Sequence, residues 1–208
     1  MKSAVACILL LFSTSWIAAA NAEESYYTLG TSAAQKGDAV SGIFYFMRDS
    51  FQPSKDREAA AATKVFELLT QGVSEDGDQK ITLTLGPDFD KKGGALGALE
   101  LARTLSAATI HLEDAQSQTK AERYASALVN FVKIADETTQ GGNGGEIKAT
   151  PVWQKAAAPV IQLERRGLLE CYAYLLAARA GYAGAKEWLE KNPQKKQALD
   201  AALRELAG

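Results

Sequence analysis

From residue 25 onward, apolar positions recur at steps of three and four far more than at steps of two, which predicts a chain built mostly from amphipathic helices. The first pair is expected over Ser25 to Gln35 and Asp38 to Asp49, turned at Gly37, with Ile43, Phe44, Phe46, Met47 and Phe51 supplying bulk. A third helix follows Ser54, its candidate N-cap, carries Val65, Phe66 and Leu69 on one face and stops at Gly72. Leu96, Leu99, Ala102, Leu105, Thr109 and Leu112 mark a long helix. Tyr124, Leu128, Phe131, Val132 and Ala135 mark another, opened by Thr119 and Glu122 at capping-box spacing. The short link between these two predicts an antiparallel hairpin.

The last third opens at Thr150-Pro151, an N-cap followed by proline in the first helical position. Pro159 is expected to end or kink that helix, with a long helix from Val160 to Arg179 beyond it. Gly181 turns the chain, Ala183 to Lys191 forms a further helix, and Asn192-Pro193 starts the last, carrying Leu199, Leu203 and Leu206. Residues 73–94 break the pattern: Ile81, Leu83 and Leu85 alternate with Thr82 and Thr84, a strand signal. Its expected partner is Glu146 to Thr150, since a lone strand leaves its own backbone groups unpaired.

The first 22 residues read differently. Lys2, the apolar run Ala4 to Phe12 and the small-residue exit Ala18 to Ala22 have the three-part layout of a secretory signal peptide, with cleavage expected between Ala22 and Glu23. The run is shorter than the ~20 residues a membrane span needs. Residues 23–208 then form a single helical domain in the periplasm or outside the cell, with no transmembrane span.

The whole chain carries net charge −2, and losing Lys2 with the leader makes it −3. No basic excess is present to hold a phosphate backbone, so nucleic acid is not an expected partner. Cys7 leaves with the leader. Cys171 remains without a partner for an intrachain disulfide and reads as a buried small hydrophobe among Leu168, Leu169, Tyr172, Leu175 and Leu176.

Candidate chemistry is thin. His111 is the single histidine, with Asp114 three residues on, and no serine has a nucleophile-elbow context. One histidine and one retained cysteine do not make the usual zinc sets. Glu75, Asp76, Gly77 and Asp78 resemble a calcium loop, but Gln79 stands where glycine is needed and Leu85 where a bidentate glutamate is needed. The loop Gly141 to Gly145 lacks the Lys-Ser or Lys-Thr of a P-loop. Glu164 and Glu170 are the carboxylates on which a carboxylate-only hydrolase would rest, and the neighbouring Arg165 and Arg166 fit a solvated charged face instead. No catalytic set, metal site or cofactor is expected. Trp153, near the glycine-rich loop and a helix start, is the better of two tryptophans, Trp188 being the other, for stacking against a ligand.

Two hairpins resemble tetratricopeptide repeats. In the first, Tyr26, Leu29, Gly30, Ala33, Gly37, Gly42 and Phe46 fall at similar spacings, departing from the pattern at Asp49 and Pro53. In the second, Gly181, Tyr182, Ala185 and Leu189 keep the order with a turn one residue short. The expected fold is therefore mostly α: antiparallel helical hairpins, as a tetratricopeptide-like α-solenoid or an irregular helical bundle, with at most a small two-stranded β element. The resemblance implies a scaffold that binds another protein or peptide along a groove, with Tyr27 and Thr31 on its groove-facing side. The alternative is a helical bundle that binds a small ligand near Trp153 without catalysis.

Overall fold

The computed structural model describes residues 24–52, 57–71, 73–76, 80–83, 94–111, 119–139 and 150–208. The fold is mostly α. In chain order the elements are α1 (Tyr26–Gln35), α2 (Ala39–Asp49), α3 (Glu58–Thr70), β1 (Val73–Asp76), β2 (Lys80–Leu83), α4 (Gly94–His111), α5 (Lys120–Thr139), α6 (Pro151–Arg165), α7 (Leu169–Arg179), α8 (Ala185–Lys191) and α9 (Pro193–Ala207).

Local chemistry sets most helix ends. Ser25 Oγ accepts from the Thr28 N–H, Asp38 Oδ1 from the Ser41 N–H, and Thr150 Oγ1 from the Trp153 N–H. Thr119 and Glu122 close a reciprocal capping box: the Thr119 N–H donates to Glu122 Oε2 (2.6 Å) and the Glu122 N–H to Thr119 Oγ1 (3.3 Å). At the end of α1, Gly37 takes φ 77° and the Asp38 N–H donates back to the Ala33 carbonyl at 2.9 Å, a Schellman stop.

Four expectations change. Pro159 neither ends nor divides α6, which runs on to Arg165 because Ala156, Ala157, Val160, Ile161 and Leu163 are buried on both sides of the proline. The break comes at Gly167, φ 67°, where the Leu168 N–H donates to the Leu163 carbonyl at 2.8 Å in a second Schellman stop. The strand β2 pairs antiparallel with β1, Val73 opposite Leu83, a partner that adjoins it in the chain and needs only a short turn. Residues 146–149 lie outside the described residues, as do Ser54 and Gly72, while Thr150 caps α6. The third helix starts at Glu58 after Arg57, which makes no side-chain cap bond.

The fourth change is the rotation of α4. Leu99 and Ala102 are buried as expected, but Leu105 is 53 % exposed and the buried face carries Glu100, Arg103 and Thr104. Arg103 (1 % exposed) explains this: Nη1 donates to the carbonyls of Leu68 (2.7 Å), Leu69 (3.2 Å) and Gln71 (2.7 Å), closing the carbonyl end of α3. Glu100 (2 % exposed) accepts from Arg103 Nε at 2.9 Å and neutralises it. Two side chains that read as polar thus sit inside as a pair with a structural task.

The core is centred on α2, whose Val40, Ile43, Phe44 and Met47 are fully buried. α1 and α3 pack on it, as does α6 from far along the chain, while α7 packs on both α3 and α5. Aromatic rings make the same ties. Phe44 meets Phe131 of α5 (5.5 Å between centroids) and Trp153 of α6 (5.0 Å), and Phe51 meets Tyr172 of α7 (5.4 Å). The Tyr172 hydroxyl donates to the Met47 carbonyl (2.6 Å) with Ser50 Oγ 2.6 Å away, and Arg179 Nη1 donates to the Ser50 carbonyl (3.0 Å), so α7 holds the end of α2. In a one-dimensional stack each unit touches its neighbours alone. Helices distant in the chain share a core here, which is bundle packing.

Cys171 is buried and free. Desolvation pushes its thiol up to about 11, so in mildly alkaline buffer it is both protonated and covered. Iodoacetamide is expected to leave Cys171 unmodified in the folded chain and to label it fully in urea, read by intact mass. Rapid labelling without denaturant would contradict the packing of α7.

Candidate functional site

Among the described residues several openings flank the bundle, and the first is the groove between α1 and α3. Both helices pack on α2. A Cβ built on Gly30 would stand 3.0 Å from three atoms of the Phe46 ring, so glycine lets that ring close against α1. Phe46 and Leu68 form an apolar floor. Thr31 and Gln35 of α1 face Lys64, Glu67 and Gln71 across it, enclosing about 530 Å³. Thr31 Oγ1 donates to the Tyr27 carbonyl (2.9 Å) and Thr70 Oγ1 to the Phe66 carbonyl (2.9 Å). The hydroxyl protons are committed within their helices, and the oxygen lone pairs stay available to an incoming N–H.

Tyr27 stands beside this groove, half-buried, its ring edge-on to Phe46 at 5.2 Å and the Arg57 guanidinium 5.8 Å from its centroid. Its own N–H donates to Asp49 Oδ1 at 3.1 Å. Asp49, a departure from the repeat pattern, therefore ties the end of α2 to the start of α1. Trp153 is elsewhere: it is 4 % exposed, packed on Phe44, and lines none of the three openings described here. Its Nε1 has no acceptor among the described residues.

The second opening, also about 530 Å³, lies where the start of α1, the end of α2, the first turns of α6 and the end of α9 meet. Tyr26, Leu29, Arg48, Asp49, Arg57 and Val152 are among its lining. Arg48 was not singled out by the periodicity, although a cation inside the run Ile43 to Phe51 is the signal that finds it. The third opening, about 760 Å³, runs between α5 and the α6–α7 turn and contains Glu122, Asn130, Lys133, Glu164, Glu170 and Tyr174. Glu170 pairs with Lys195 Nζ at 3.1 Å, while Arg165 pairs with Asp136 and Arg166 with Glu205. Trp188 stacks on Tyr174 (4.1 Å, 5° between planes) with Lys195 Nζ 5.3 Å from its centroid.

His111 is the last residue of α4, and Asp114 and the Gly141 to Gly145 loop lie outside the described residues. Of the acidic loop, Glu75 and Asp76 belong to β1, while Gly77 and Asp78 are outside the described residues. Among the described residues no group of acidic, histidine and cysteine side chains is placed to hold a metal ion, and no helix is long and apolar enough to cross a membrane. Compared with protein-family models, with curated proteins and with solved structures, the chain matches none of them.

Proposed function

We propose that this is an exported helical binding protein that takes an extended segment of a partner protein in the groove between α1 and α3 and performs no chemistry of its own. The observation that carries the reading is the groove: an apolar floor of Phe46 and Leu68 flanked by the hydroxyls of Thr31 and Thr70, the amides of Gln35 and Gln71 and the ion-paired Lys64 and Glu67. An extended peptide presents alternating side chains and unpaired N–H groups, and such a surface meets both. The close fit of Phe46 against Gly30 shapes the groove, which Thr31 lines with Tyr27 beside Phe46 on its flank, and these support the reading. Export rests on the signal-like residues 1–22.

The test is photo-crosslinking in the native envelope fraction from a probe at Gln35, which is exposed and lines the groove. A matching probe at Gln197, exposed on α9, serves as control. The recovered protein is expected to begin at Glu23.

A further inference from the structure

Arg48 is 8 % exposed, yet among the described residues no carboxylate lies within ion-pairing distance of it. Its guanidinium lies over two rings, 5.4 Å from the Tyr26 centroid and 5.2 Å from that of Phe51. Nη2 donates to the Ala207 carbonyl at 3.0 Å, and Nε has no acceptor among the described residues. The neighbouring carboxylate is already used, since Asp49 Oδ1 accepts from the Tyr27 N–H and stands 3.9 Å from Arg57 Nη1. A buried cation with unused donors and no counter-charge is costly unless an anion completes it.

We propose that the cleft around Arg48 binds a monoanionic carboxylate bearing a short apolar tail. A guanidinium presents a planar fork that matches a carboxylate, and contact with the Tyr26 and Phe51 rings restrains it. Tyr26, Leu29 and the exposed Val152 supply an apolar wall for the tail, in a cleft of about 530 Å³. Glu24 and Asp49 line the cleft together with Arg57 and Lys155, so charge alone does not sort anions there; the apolar wall, which a carboxylate's tail can cover and phosphate cannot, favours the organic acid. The site is separate from the α1–α3 groove and stands or falls without it.

The carboxylate can come from a free organic acid or from the C-terminus of a peptide, and both share this chemistry. Valerate, N-acetyl-Ala-Ala, its C-terminal amide and inorganic phosphate are titrated into the exported protein at fixed ionic strength. The reporter is the Arg48 Nε–H resonance, assigned by its proximity to the Tyr26 and Phe51 rings. A saturable shift is expected with valerate or the peptide acid and none with the amide, and the tighter of the two acids identifies the source. Val152→Trp, which fills the mouth from an exposed position, is expected to weaken binding by at least about tenfold with Tm unchanged. Arg48→Lys, which keeps the charge and loses the fork, lacks that resonance and is titrated by calorimetry, where the binding heat seen with the parent protein is expected to disappear. If Arg48→Lys does not fold, Val152→Trp decides. The proposal is overturned by the absence of a saturable shift with either acid, by phosphate binding as tightly as the acids, or by Val152→Trp leaving the affinity unchanged.

Discussion

Arg103→Met is expected to destabilise the protein by about 3–5 kcal/mol, the cost of breaking a buried ion pair by removing one member. The substitution keeps most of the side-chain stem and removes the charge. It leaves Glu100 buried with no cation against it, and uncaps the carbonyls of Leu68, Leu69 and Gln71 at the end of α3. Glu100 Oε2 already lacks a partner, so the carboxylate has no second donor to turn to among the described residues. Urea unfolding followed by circular dichroism measures the loss. The double variant Arg103→Met with Glu100→Leu is expected to recover a large part of it, because an apolar pair carries no uncompensated charge. A cost below about 1 kcal/mol for the single variant is what a solvated, surface-like pair would give, and would contradict the buried geometry.

The second large effect belongs to Phe44. Its ring is fully buried between Phe131 and Trp153, so one side chain joins α2, α5 and α6. Phe44→Ala is expected to cost about 3–5 kcal/mol, the transfer of the ring plus the cavity it leaves. The cavity is not expected to collapse fully, because α2 is also held by α1 and α3 and its end by Tyr172 and Arg179. Tryptophan fluorescence, with Trp153 beside the mutated site, and circular dichroism should report one coincident transition in the variant as in the parent. Two separated transitions, or a cost near 1 kcal/mol, would instead describe an open stack in which α1–α3 unfold apart from the rest.

The parts of this fold legible in the sequence are those whose cause is local. Ser25, Asp38, Thr119 with Glu122, and Thr150 cap the helices they precede, and Gly37 and Gly181 stop the helices before them, all within a few residues of the bonds they make. The misreadings have distant causes. Pro159 carries the usual breaker signal, but the buried face of α6 outweighs the one backbone bond that proline removes, and the chain turns at Gly167 instead. The periodicity of α4 favours Leu105 over Arg103, because the carbonyls that receive Arg103 lie more than thirty residues away in the chain. Val73–Asp76 carries no alternation to mark it as a strand, and only its place beside β2 in the chain pairs it there.

The site was legible in the same uneven way. Thr31, with Tyr27 beside it, falls at the α1–α3 groove because helical spacing alone decides which side of α1 faces away from α2. Trp153 was chosen for its chemistry and its neighbours in the chain, and the structure uses it as core against Phe44. Arg48 has no signature in the sequence because what marks it is the lack of a counter-charge among the described residues, a property of the surrounding helices and of no motif.

The measurement that bears most directly on the proposed function is the crosslink from Gln35. The account expects a discrete partner band that the Gln197 probe does not yield, and its loss when Thr31→Arg places a long cation across the groove while the Tm of the protein holds. The same bands from both probes, no band from either, or a Gln35 crosslink that survives Thr31→Arg would contradict it.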